Sequence, residues 1–222
     1  MDYTSNDPLD QLRDIHRLMQ RSSKFIGLSG LSGVGAGAFA LVGSSLAQLY
    51  LLEGGLHSYG QSLQYWPAQP HPWGLDAFSF FTLDALFVLS GALSCGVYFT
   101  TRRAQRKGHP IWDSLTRRLL LSVATPLAIG GLFVLAMLYH GWVGIVAPAT
   151  LIFYGIALIS GSTYTLDELY YLGLAEVSLG IIGLFFLGYG LLLWAIGFGL
   201  LHIIYGLLMY FRYETSTNTK HP

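Results

Sequence analysis

Three ionisable side chains stand inside long apolar stretches of this sequence: Asp84, Glu176 and His202. Charge in hydrocarbon is costly, so such groups either mark a proton or ion path or pair to hold helices in register. Glu176 lies nine residues beyond Asp167, and His202 ten residues before Arg212. At 1.5 Å per residue both sit about 13–15 Å in from the same end of their helices. A Glu–His hydrogen bond between neighbouring helices is therefore expected, with Tyr171 and Tyr205 as further members if they face inward. The imidazole would be the proton-exchanging group, its unperturbed pKa being about 6.5. Asp84, eight residues past Asp76, falls in the outer part of its stretch and is expected to meet water or His140.

Other chemistries find little support. The one cysteine, Cys95, excludes an intrachain disulfide and every multi-cysteine metal or iron–sulfur site. The chain has no Walker loop, His-Glu-x-x-His, Rossmann glycine pattern or Gly-x-Ser-x-Gly. Haem would need a second deep histidine beside His202, and no spacing signature supports a metal. No cofactor is expected.

The elements that must carry these residues are membrane spans. Charged residues are 11% of 222 and hydrophobic residues 53%, with a mean hydropathy of +0.50. Twelve charges of each sign leave the chain neutral, which gives no electrostatic case for a nucleic-acid partner. A bilayer core needs about 20 apolar residues per helix, since backbone groups in lipid must satisfy one another. Six such stretches run from Phe25 to Leu52, Phe78 to Thr100, Leu119 to Tyr139, Trp142 to Ser160, Leu169 to Leu187 and Leu191 to Phe211. The expected fold is all-α, a polytopic membrane bundle with tight joints between spans three and four and between five and six.

All twelve lysines and arginines fall before span one, between spans two and three, or after span six. With six spans these segments share one face, and the positive-inside rule puts both termini in the cytoplasm. The reading is a multi-pass protein of the bacterial inner membrane. It divides into a cytoplasmic amphipathic helix (1–24), a six-span domain (25–211) and a cytoplasmic tail (212–222). In the first segment Asp7-Pro8 reads as an N-cap and first helical residue, followed by Leu9, Leu12, Ile15, Leu18 and Met19 at helical spacing. That helix would lie on the membrane surface or dock a partner, and no signal peptide is expected to be removed. The outer loop holds Tyr59, Tyr65, Trp66 and Trp73 among Pro67, Pro70 and Pro72, rings suited to the headgroup layer. Arg102, Arg103, Arg106, Lys107, Arg117 and Arg118 form a basic loop suited to anionic lipid or a cytoplasmic protein.

Span one carries Gly27, Gly30, Gly33, Gly35, Gly37 and Gly43 among serines. Small residues let backbones approach closely, so this span is expected to be central, within one chain or between copies of a homo-oligomer. A repeat is also visible. Thr82-Leu83-Asp84 recurs as Thr165-Leu166-Asp167, and the leucine triplets at 119 and 191 are each followed at like distance by Met-Leu-Tyr or Met-Tyr. Three spans per half would make inverted halves, as in many secondary transporters.

Two resemblances follow. Gly27-Leu28-Ser29-Gly30 and Gly30-Leu31-Ser32-Gly33, continuing through Val34, Ala38, Leu41 and Gly43, resemble the serine helix of rhomboid intramembrane proteases. His202 with Gly206 loosely resembles their histidine helix, although here the serines are on the first span rather than the fourth. That resemblance implies Ser29 or Ser32 as nucleophile and His202 as base. Over both ends of the chain, 15–30 and Trp194-Ala195-Ile196-Gly197-Phe198-Gly199 with His202, Tyr205 and Gly206 are similar to a Bacteroidota-type family of six-span inner-membrane proteins, which implies topology alone. Three functions therefore stand: transport or conduction through the Glu/His cluster, a sensor or assembly factor acting through the basic loop, and an intramembrane serine hydrolase.

Overall fold

The computed structural model describes residues 29–54, 72–106 and 112–213. Six helices there are long and apolar enough to cross a membrane, the architecture of a multi-pass membrane protein, and no strand occurs among the described residues. We label them α1 (Gly30–Glu53), α2 (Ala77–Arg106), α3 (Ser114–Tyr139), α4 (Val146–Ser162, entered through a 3-10 turn at Val143–Ile145), α5 (Glu168–Phe185) and α6 (Leu187–Tyr213). The amphipathic segment 1–24, Gly27, Tyr59, Tyr65, Trp66, Pro67, Pro70, Lys107 and the tail from 214 lie outside the described residues.

Polar caps start the peripheral helices. Asp113 precedes α3 and its Oδ1 accepts the Thr116 amide at 2.7 Å. Asp76 precedes α2 in the same way, accepting the Ser79 amide at 3.0 Å and the Ser79 hydroxyl at 2.6 Å. Each satisfies a donor that the first helical turn cannot. These hydrogen bonds also hold both carboxyls below the usual carboxylate range.

The helices form a row rather than a closed ring. In order across the molecule it runs α2, α1, α6, then the α5–α4 pair, then α3. Every neighbouring pair is antiparallel. Gly30 of α1 meets Gly206 and Tyr210 of α6, while Gly37 meets Gly199 and Ile203. A methyl group at Gly206 would lie 2.6 Å from the Gly30 carbonyl oxygen, so this approach admits glycine alone. Gly155 of α4 and Gly173 of α5 repeat the device, each leaving no room for a Cβ against the other's carbonyl. Accordingly 39% of the most apolar window of α1 is buried in protein, against 11% for α2 and α3, whose other faces suit lipid.

The row corrects several expectations. Helix α2 runs two turns past Thr100, so Arg102, Arg103 and Arg106 are helical, and Arg117 and Arg118 lie in the first turns of α3. The basic segment is therefore two helix ends and not a long loop. Arg103 is buried, one of its guanidinium nitrogens 3.5 Å from the Tyr213 carbonyl oxygen of α6. All the described arginines still gather at one end, because α2 ends, α3 begins and α6 ends there. The halves are packed differently: α6 sits on α5 and α4, whereas α3 packs chiefly on α4, away from α1 and α2. The repeated tripeptides do not correspond to one repeated packing unit.

At the opposite end Tyr50 anchors an aromatic cluster. It is buried, stacks on Phe80 at 4.0 Å and donates to the Leu75 carbonyl at 2.9 Å. Trp73 joins edge-on and hydrogen-bonds Glu53 of α1. This ring cluster fixes the α1–α2 hairpin at the level where amphipathic rings favour the membrane boundary.

Candidate functional site

Glu176 projects from the middle of α5 toward α6. It shares a face with Leu172 and Glu168, one and two turns back along i, i+4, i+8 spacing. The residue is fully buried at 0% exposure, and His202 on α6 is buried beside it. His202 Nδ1 stands 3.4 Å from Glu176 Oε1. That is ion-pair range but long for a hydrogen bond, and neither Glu176 oxygen has a hydrogen-bond partner. The nearer partner of Nδ1 is the Gly197 carbonyl oxygen at 3.0 Å. A carbonyl only accepts, so Nδ1 carries the proton and Nε2 is the acceptor. Nε2 receives the hydroxyl of Tyr154 on α4, 2.8 Å away.

The backbone of α6 is built for this arrangement. From Ala195 to Leu201 it opens into a π-helical stretch with i→i+5 bonding. Residues five apart in an α-helix lie about 140° apart around the axis. In this widened stretch the Gly197 carbonyl lies within 3.0 Å of the His202 imidazole. A Cβ at 197 would collide with Glu176 Oε2 and lie 2.6 Å from Leu151 Cδ2, so these side chains would have to shift to admit one. Phe198 stacks on His202 at 5.9 Å and closes the ring from the side, with Tyr154 4.8 Å from Phe198.

Toward the basic end the same interface continues through Tyr205, which packs beside Tyr154 and Leu201 on a cluster of Leu158, Leu169 and Leu172. The Tyr205 hydroxyl is buried and has no hydrogen-bond partner. Beyond it, at the helix ends, Glu168 receives the Tyr213 hydroxyl at 2.6 Å and the Arg212 guanidinium at 2.8 Å.

The structure thus brings Glu176, His202 and Tyr205 to one interface and leaves other candidates elsewhere. Tyr171 is 70% exposed on the outer face of α5, because it lies five residues before Glu176 and so points away from α6. Asp84 lies against the bare backbone of α1 at Gly43, with Oδ1 buried and lacking a hydrogen-bond partner. His140 is exposed at the end of α3, between Tyr139 and Trp142, at the far end of the row from α2; it does not pair with Asp84. The Ser32 hydroxyl donates to the Ser29 carbonyl. Both nitrogens of His202 are engaged on the α4–α5 side of α6, opposite to α1, so it is not the base of Ser29 or Ser32. No group of three metal-ligating side chains occurs among the described residues.

Sequence reasoning missed Tyr154 and Gly197. A tyrosine in the middle of a span, far from the headgroup layer that tyrosines favour, was a readable signal for the first. Nothing in the spacing announces the π stretch. No family model, curated protein or solved structure matches this chain.

Proposed function

We propose that this is an integral protein of the bacterial cytoplasmic membrane, with its basic end and both termini in the cytoplasm, and that it takes up and releases protons at Glu176 and His202 in a transport or conduction cycle. The observation that carries this reading is the Glu176 carboxyl, which is wholly enclosed, unpaired by any described lysine or arginine and 3.4 Å from an imidazole. An enclosed, uncompensated carboxylate costs several kcal/mol, so its charge must be met by a proton or a cation. Paired polar glue for helix register is the competing role, and it would leave the carboxyl oxygens hydrogen-bonded; here they are not. The neighbouring imidazole supplies a group that can donate a proton at one nitrogen and accept one at the other.

Purified full-length protein reconstituted in proteoliposomes tests this. An imposed pH gradient should drive a proton flux that Glu176→Gln and His202→Ala abolish. Fluxes equal to wild type in both variants would remove the reading.

A second role fits the same end of the molecule. Arg102 and Arg106 at the end of α2, and Trp112, Arg117 and Arg118 at the start of α3, are exposed at that end. Exposed arginines with an interfacial tryptophan at one end of the spans suit anionic headgroups of the inner leaflet. This contact would orient the protein and is compatible with the proton cycle.

A further inference from the structure

We propose that Asp84 binds lipophilic organic cations, an ammonium or phosphonium centre carried on an apolar body, which enter from the bilayer along the α1–α2 groove. The site stands apart from Glu176, because α1 separates α2 from α6, and it does not rest on proton exchange there. Asp84 projects from α2 at the bare backbone of α1, where a Cβ at Gly43 would lie 3.2 Å from Oδ1 and 3.5 Å from Oδ2. Oδ1 is enclosed and has no hydrogen-bond partner, while the residue as a whole stays partly exposed at the groove. The nearby serine hydroxyls do not meet it. Ser44 and Ser45 donate to the Leu41 carbonyl of their own helix, and Ser90 to the Phe87 carbonyl.

No lysine or arginine among the described residues stands at this level. Along α2 the first arginine is Arg102, eighteen residues on and about 27 Å away. The outer segment 54–76 contains no lysine or arginine either. A carboxylate in hydrocarbon therefore needs its counter-charge from elsewhere.

The surroundings select the kind of cation. Hard metal ions take several oxygen ligands, whereas Asp84 faces the bare Gly43 and packs beside Val88. Phe81 and Phe87, three residues to either side, flank it one turn down and one turn up α2. Phe87 meets Phe39 of α1 edge-on at 5.4 Å and is 42% exposed, so its ring is open to a molecule in the lipid. Ring faces attract cations, quaternary ammonium groups among them. A single carboxylate between phenyl rings, in a groove open to hydrocarbon, fits a bulky and weakly hydrated cation.

Equilibrium dialysis of the full-length protein in uncharged detergent, above neutral pH, tests this with labelled tetraphenylphosphonium. Saturable binding is expected. The tetraphenylborate anion, alike in shape and opposite in charge, should show none when measured alone. Asp84→Asn, which keeps the shape and removes the charge, should weaken binding by about tenfold or more. Phe87→Leu, which keeps an apolar side chain and removes the ring, should weaken it by about two- to fivefold. Should Asp84→Asn fail to fold, a photoreactive benzophenone ammonium locates the site on the unmutated chain. Its adducts should map to α1 and α2 around Phe39 and Phe87 and disappear under excess tetraphenylphosphonium. Undiminished binding to Asp84→Asn, equal binding of the anion, or adducts confined to other helices would overturn the proposal. So would displacement by sodium ions, which would mark a small-cation site. A carboxyl held neutral by a permanent proton would give no saturable binding, and that result too would overturn it.

Discussion

Deleting one oxygen atom tests the core of the site. Tyr154→Phe removes the hydroxyl that sits 2.8 Å from His202 Nε2 and keeps the ring against Phe198. His202 is 6% exposed and its other nitrogen is engaged, so no water reaches the abandoned acceptor. A buried acceptor left unmet costs about 1–3 kcal/mol in soluble proteins. Interhelical hydrogen bonds in lipid average about 0.6 and reach about 1.7 kcal/mol, because the unfolded helices also find partners in the membrane. The expected loss is thus about 1 kcal/mol, with the apolar packing conserved. Reversible unfolding in mixed micelles, followed by tryptophan fluorescence, measures it. A double-mutant cycle with His202→Ala then isolates the pair and should give a coupling of about 0.6–1.7 kcal/mol. If the two substitutions add to within about 0.3 kcal/mol, the hydrogen bond contributes nothing and the reasoning fails.

Two further outcomes follow from the geometry. Gly197→Ala drives a methyl group into Glu176 and Leu151 and should destabilise by about 1–3 kcal/mol. Gly131→Ala on α3, where an added Cβ meets nothing within 4 Å, should be neutral or stabilising in the same micelle unfolding, and equal losses in both would refute the packing argument. Asp113→Ala should cost about 0.5–2 kcal/mol by removing the cap of α3. Because the Thr116 amide holds the Asp113 carboxyl below its usual range, its stabilisation is complete above the unfolded value near about 3.9. It is lost as pH falls through the lower folded value, so the wild-type advantage over Asp113→Ala should vanish in acid. An advantage that persists there would contradict the cap.

Much of the architecture was readable without coordinates. The six spans and the gathering of arginines at one end are consequences of composition, because transfer to hydrocarbon and positive charge are properties of each residue by itself. The common depth of Glu176 and His202 was equally legible, since a fixed rise per residue converts sequence distance into level. The rotational phase of Tyr171 was not. It was grouped with Glu176 by proximity in level, and the five-residue offset turned it to the outside.

The partners of each polar group were decided only by the tertiary structure. Lipid exerts no hydrophobic force that selects one apolar helix face over another, so glycine contacts and steric fit choose the neighbours. That choice sets Asp84 against α1 rather than near His140, and draws Arg103 in to meet the end of α6. It also brings Tyr154, from a helix adjoining neither end of α6 in sequence, to the imidazole. The π stretch completes the site: it carries Gly197, whose carbonyl meets the imidazole and whose bare Cα faces Glu176, a fit between two helices that no single stretch of sequence contains.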